Sequence, residues 1–335
     1  ELNFSGGNEK TQYAVGASYF KQEGLAKEND YARVNLKTAV DTWATDFLKV
    51  GANINLSSAT SNNAPDNIFK DAYVAPPAIG VTNPNGSFTS MMDFGSFPNP
   101  AAKLYYNNNK TNALRLVGGA YLEVHPIKNL SVKSALYVDG TQSTNRKYTP
   151  WYQVSSVQTD TTLTLAKKIE DPFSYTWDNT ATYKFEINEK HSLTAMLGTS
   201  MLQDRYHSMT ATRQGVKDYG DGSWYLGNGS DKGQSNGESV DLYRSFSLFG
   251  RLNYSYLQRY LFTATLRRDE ASIFPKDNRA DFFPSVGLGW VISQENFMAN
   301  QNAFQNLKLR ASWGKMGNSR IPLTVVPGLS TGGNY

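Results

Sequence analysis

Three aspartates, Asp218, Asp221 and Asp231, stand close enough in sequence to offer oxygen ligands to a hard cation such as calcium. Calcium loops set their oxygens at regular alternate positions and close with a bidentate glutamate. The run Asp218-Tyr219-Gly220-Asp221-Gly222 has neither feature and reads as an ordinary Asp-Gly turn. His125, His191 and His207 are scattered, without the paired spacing of a metal site, and read as surface histidines. Gly227, Gly229 and Gly233 are not followed by the Lys-Ser/Thr of a phosphate loop. No two carboxylates can be paired across a cleft as glycosidases require, and no Ser-His-Asp arrangement stands out. The chain contains no cysteine, which removes disulfides, thiol catalysis and Cys-ligated metals together. An enzyme is therefore not expected, nor a metal or cofactor. The remaining chemistry is ring stacking. Tyr105-Tyr106, Trp151-Tyr152 and Trp224-Tyr225 are aromatic pairs set among polar residues, suited to the faces of sugars or to peptides. Such rings also pack neighbouring loops together. Trp224-Tyr225 is the strongest ligand candidate because it follows the Asp-Gly turn.

What positions these rings is a sheet. Segment after segment alternates apolar or aromatic residues with small or polar ones at period two, the pattern of strands with two unlike faces. Leu48, Val50, Ala52, Ile54 and Leu56 share a face against Lys49, Gly51, Asn53, Asn55 and Ser57. Ala32, Val34, Leu36 and Val40 oppose Arg33, Asn35 and Lys37, while Leu114, Leu116, Ala120, Leu122 and Val124 oppose Arg115 and Glu123. The same alternation runs through 192–201, 246–256, 260–269, 284–292 and 307–313. About a dozen strands of roughly 8 to 12 residues are expected, the length with which a tilted strand crosses a hydrocarbon layer.

The connections separate a membrane barrel from a soluble sandwich. Short ones at 6–10, 41–45, 125–129, 186–190 and 257–259 alternate with long ones at about 21–30, 58–112, 140–173, 202–239 and 270–282. Long loops then gather at one end of the sheet and tight turns at the other, as in an all-β transmembrane antiparallel β-barrel. The 293–306 connection breaks this rule; it falls on the short side, and Gln294 to Met298 could form a helical turn. In this phase Arg33, Lys37, Lys49, Arg115, Glu123, Arg251, Arg267, Asp269 and Arg310 face a hydrated interior. There they meet a passing solute, or they are solvated and bridged within the wall. Outward, Tyr183, Phe185, Tyr254, Tyr256, Tyr260 and Trp290 sit near the short-turn ends, at the depth of an aromatic girdle against outer-membrane lipid. The plainer alternative is that any strand favours aromatic residues.

Composition agrees. Of 335 residues 13% are aromatic and 19% charged, too much ring surface for a solvated chain. The 33 basic and 29 acidic residues are interspersed, so no nucleic-acid footprint is visible. No apolar run is long enough for a membrane helix. The chain opens at Glu1 directly in a strand pattern and finishes at Gly332-Gly333-Asn334-Tyr335, and is expected to be an internal piece of something longer.

Tyr256 to Ser272 (YLQRYLFTATLRRDEAS) is followed by Phe283-Pro284-Ser285-Val286-Gly287-Leu288-Gly289-Trp290, Glu295-Asn296-Phe297-Met298, Leu307-Lys308-Leu309-Arg310-Ala311-Ser312-Trp313-Gly314 and Gly317-Asn318. This series resembles the barrel of SusC/RagA-type TonB-dependent transporters of the Bacteroidetes outer membrane. Phe4-Ser5-Gly6-Gly7, Tyr13, Gln22-Glu23-Gly24 and Arg33 are similar to an earlier segment of the same barrel. Asp269-Glu270-Ala271-Ser272 departs from the family's Asp-Gly-Ser by lacking the glycine. The resemblance implies that residues 1–335 are a partial barrel domain of a wall of about 22 strands, without the plug domain, the TonB box and the closing strands. It further implies active import of an oligosaccharide or peptide, driven by TonB with ExbB and ExbD acting through an N-terminal region outside this chain. A SusD-like surface lipoprotein would act as the lid. The inward charges, Arg267 and Asp269 above all, become candidates for plug contact. A passive porin, or a soluble secreted glycan-binding β protein, are the competing readings.

Overall fold

A computed structural model describes residues 1–319 apart from Glu189, Asp221 and Ser223. Asp221 of the candidate calcium turn and the terminal Gly332 to Tyr335 therefore lie outside the described residues. The strands are β1 (Leu2–Gly7), β2 (Thr11–Glu23), β3 (Asp30–Trp43), β4 (Leu48–Asn62), β5 (Asn108–Ile127), β6 (Leu130–Thr149), β7 (Tyr152–Gln153), β8 (Thr159–Asp160), β9 (Thr164–Glu170), β10 (Phe173–Asn188), β11 (His191–Gln214), β12 (Ser230–Tyr256), β13 (Tyr260–Ala271), β14 (Ala280–Val291) and β15 (Lys308–Gly314). Two short helices, α1 (Ile68–Val74) and α2 (Pro100–Tyr105), lie in the connection after β4.

All strands but the small β7–β8 hairpin join one antiparallel sheet in which neighbours in sequence are neighbours in space. The exception is β9, which continues the place of β10 between β6 and β11. The strand β6 pairs with β10 up to Gly140 and with β9 from Ser143 onward. Pro172, which has no N–H to give a ladder, lies in the break between β9 and β10. The outermost strands β1 and β15 each pair on one side only among the described residues.

The period-two alternation carries through the register. Leu36 faces Leu56, Leu56 faces Leu116, Ala120 faces Leu136, Leu136 faces Trp177 and Trp177 faces Met201. This apolar face is open: Leu197 is 69% exposed, Leu288 61% and Leu122 57%. A face of this extent needs an apolar surrounding, not water. The largest fully buried side chains among the described residues, Tyr148, Leu165, Val216 and Asn99, all belong to the long-connection end.

The strands are longer than the alternation suggests. Residues 202–214 and 230–239, expected in a loop, extend β11 and β12 to 24 and 27 residues, so their connection shrinks to 215–229. Beyond the apolar belt both faces meet polar surroundings, and the contrast that reveals a strand disappears. For the same reason β4, β5 and β6 run into the expected loops 58–112 and 140–173. The short turn after β12 is tight, with Arg259 N–H donating to Tyr256 O at 3.0 Å. Its central residues Leu257 and Gln258 both have positive φ, 53° and 55°. After β14, the expected helical turn is realised as two 3-10 turns, Ile292–Gln294 and Asn296–Met298.

Candidate functional site

The nine charged residues that the alternation places together do fall on one face. Lys37 is paired opposite Asn55, Lys49 opposite Glu123 and Glu123 opposite Lys133. Farther along, Arg251 is opposite Thr265, Arg267 opposite Phe249 and Phe283, and Arg310 opposite Gly289. Several are tied within the wall. Arg115 grips Asp139 with two parallel bonds, Nε to Oδ1 at 3.0 Å and Nη2 to Oδ2 at 2.7 Å, which stiffens both side chains. Glu123 accepts from Ser131 at 2.8 Å and contacts His125 at 3.0 Å. Arg251 donates to Asn253 at 3.2 Å. Arg33, Lys37 and Arg310 make no ion pair among the described residues.

Near the short turns this face carries a second group. The hydroxyl of Tyr121 donates to Asp41, with Lys133 over its ring at 4.0 Å and Lys49 at 5.9 Å. Tyr121 crosses Gly51, where a Cβ would collide with the ring. Phe249 likewise crosses Gly198, its ring 2.5 Å from where a Cβ would stand. Both rings thus lie along the wall instead of projecting from it.

At the long-connection end, Arg267 and Asp269 line a cavity of about 320 Å³. Arg267 Nε donates to Asp269 Oδ1 at 2.6 Å and its Nη2 donates to the buried Ser247 Oγ at 2.8 Å. The segment after β15 folds over this cavity. Lys315 bonds Asp281 at 2.7 Å, and Ser319 reaches the Tyr243 hydroxyl at 3.0 Å. Arg267 and Asp269 thus hold each other, and Tyr243, Asn278 and Arg279 are among the other residues that line the cavity.

Each aromatic pair is divided between two tasks. Tyr106 stacks on Tyr152 with centroids 4.5 Å apart, and Trp224 stacks on Tyr148 at 4.3 Å. The partner rings Tyr105, Trp151 and Tyr225 are exposed. Tyr148 also donates to Val216 O at 3.0 Å, closing a small core with Leu165. The connections after β4 and β6 are joined through Asn99, which caps α2 by accepting from Ala101 and Ala102 N–H groups. Its amide donates to Val81 O and Thr89 O, and its backbone exchanges two bonds with the Gln158 side chain. The Asn99-Pro100 dipeptide is a helix-start signal in the sequence, but nothing in the sequence points to Gln158.

The six rings near the short turns lie on the apolar face. Tyr256 is opposite Tyr260, and Tyr260 opposite Trp290. One depth lower in the belt, Phe185 is opposite Leu193, and Leu193 opposite Tyr254. Tyr183 packs against Phe185 at 4.3 Å.

The remaining candidates are occupied. Asp218 accepts from Gly220 N–H within its own turn, and Asp231 pairs with Arg213 at 2.6 Å. His125 is held by Glu123 and His191 by the Tyr254 hydroxyl at 2.7 Å. His207 is more enclosed than a surface histidine, standing between Asp171 and Glu238.

Residues 49–330 match the family model described as TonB dependent receptor-like, beta-barrel. The chain is 28% identical over 323 residues to TonB-dependent receptor P26 of Formosa agariphila, covering 96% of this chain and 32% of that one. It is 26% identical to TonB-dependent receptor SusC of Bacteroides thetaiotaomicron, over 96% of this chain and 33% of that one. Among solved structures, the RagAB peptide transporter superposes with a TM-score of 0.84 at 26% identity, covering 95% of this chain and 36% of that one. The chain thus spans about a third of the length of these relatives.

Proposed function

The chain belongs to the TonB dependent receptor-like β-barrel family, and from that membership we propose that it forms part of the wall of an outer-membrane barrel importing a bulky nutrient, a peptide or an oligosaccharide. One observation carries this reading. A single antiparallel sheet has an exposed apolar face on one side and nine charged residues gathered on the other, which fits a wall with lipid outside and an aqueous passage within. The rest of the wall and the plug are supplied by the remainder of a longer protein.

On this reading Arg33, Lys37 and Arg310, with no acid to hold them, meet the plug or the solute. Tyr105 and Trp151 stack on the incoming nutrient, while Tyr106, Tyr152 and Trp224 brace the loops that present them. TonB, with ExbB and ExbD, drives opening of the plug, and a SusD-like lipoprotein covers the mouth. The relatives are receptors and transporters.

The test is uptake of labelled oligopeptides and oligosaccharides by cells carrying the full-length protein, with and without an intact TonB. TonB-dependent accumulation of one class supports the reading and names the substrate. Accumulation that persists without TonB would convert the barrel into a passive pore and overturn active import.

A further inference from the structure

Three cations stand in one row across three neighbouring strands. Lys110 of β5 is paired opposite Arg146 of β6, and Arg146 is opposite Lys167 of β9. Like charges directly opposite each other repel, yet none of the three has an ion-pair partner among the described residues. Glu28 and Asp30 border an adjoining cavity that Lys110 and Arg146 also line, but Asp30 accepts from Asn62 at 2.9 Å, and neither acid reaches ion-pairing distance of the row.

The row lines a groove of about 450 Å³, closed on its other side by Trp224, Tyr225 and Leu226. Arg146 lies over the Trp224 ring at 5.4 Å. The buried indole N–H of Trp224 has no hydrogen-bond partner among the described residues. The groove thus combines three unneutralised cations, an orphaned donor and an aromatic wall.

Its position identifies the occupant. Lys110, Arg146 and Lys167 project from the same face as Leu114 and Leu116, the apolar face, and away from the charged one. Lys110 is four residues beyond Leu114, the last large apolar residue of that face on β5, or about 13 Å along the strand. That is the depth at which headgroups adjoin the hydrocarbon. We propose that this groove binds the phosphorylated headgroup of an outer-leaflet lipid, whose phosphate sits among Lys110, Arg146 and Lys167 and offsets their mutual repulsion. The proposal rests on the outer-membrane reading given above.

The experiment embeds the full-length protein in phosphatidylcholine nanodiscs carrying lipid A and reads bound lipid A by native mass spectrometry. Wild type is expected to retain lipid A. The triple variant Lys110→Gln, Arg146→Gln, Lys167→Gln should bind at least about tenfold more weakly, the worth of one charge-assisted hydrogen bond. Lys110→Arg with Lys167→Arg should keep binding. Equal retention by wild type and the triple variant overturns the proposal. So does inorganic phosphate binding as tightly as lipid A, which would assign the groove to a free anion. Should the triple variant not embed, Lys110→Gln with Lys167→Gln leaves Arg146 on Trp224, and unchanged retention there is equally fatal. A wild-type protein that does not enter the bilayer overturns the outer-membrane reading together with the groove, whereas loss of the groove alone leaves import intact.

Discussion

Tyr106 and Tyr152, from two separate long connections, stack with planes only 8° from parallel. Together with the exchange between Asn99 and Gln158, this contact makes the connections after β4 and β6 one folded cap. Asn99→Ala removes four side-chain bonds at a fully buried position. Stranding the Val81 and Thr89 carbonyls should cost roughly 1 to 3 kcal/mol locally. Hydrogen exchange should rise across 81–106 and 152–160 while protection of the β10–β11 ladder is unchanged.

Ile54 and Asn53 are neighbours on opposite faces of β4. Ile54→Lys places a charge on the exposed apolar side and should destabilise folding into lipid vesicles by about 2 to 4 kcal/mol. Asn53→Lys, on the charged side, should cost much less. Equal costs in a urea titration would reverse the assignment of lipid and water to the two faces.

On the proposed reading, the exposed Trp151 binds and the stacked Trp224 braces. Trp151→Ala removes an exposed ring and should weaken nutrient binding, by a factor of about 3 to 10 if one stacked ring is lost, with no change in melting. Trp224→Ala breaks the stack on Tyr148 and opens the small core around Val216. It should raise protease sensitivity at 215–229, and calorimetric titration on both variants distinguishes the two roles.

Leu257 and Gln258 occupy the left-handed region without being glycine or asparagine. A residue with a Cβ gives up about 1 kcal/mol there, so Gln258→Gly should stabilise the β12–β13 hairpin by that order. A higher urea midpoint with an unchanged slope would show it.

Glu295, in the connection after β14, is held below the ordinary carboxylate range, chiefly by hydrogen bonds from Tyr260 and Trp290 and further by Arg259. A carboxylate whose folded pKa is depressed contributes fully above its unfolded value, 4.5 for the free group, and loses that contribution as pH falls through the lower folded value. Amide protection of 292–298 should therefore be flat from about pH 8 to pH 5 and fall below about pH 4. Glu295→Gln should lower it at neutral pH and flatten the profile.

The faces of the sheet were legible because lipid and water impose opposite demands on alternate residues. That is why Lys49 and Ile54 could be assigned before any pairing was known. Where the demand lapses, so does the signal: Asp204 to Gln214 belongs to β11, yet Tyr206, Met209 and Ala211 stand among polar residues without the large apolar side chain at every second position that marks the belt. Partners such as Asp139 for Arg115 or Gln158 for Asn99 depend on register and loop closure, and a linear pattern does not encode those distances. The aromatic pairs were legible as ligand or packing rings, but not which ring of each pair would pack. Which ring anchors was decided by Tyr148 and Tyr152, far away in sequence.

The consecutive pairing of two-faced strands has a consequence for assembly. A hairpin closed one residue out of step would turn every side chain of the slipped strand to the other side. Lys37 or Arg115 would then enter hydrocarbon, at about 2 to 4 kcal/mol apiece near its centre, while leucines would line the water. The bilayer itself thus penalises a strand laid out of register with its neighbour.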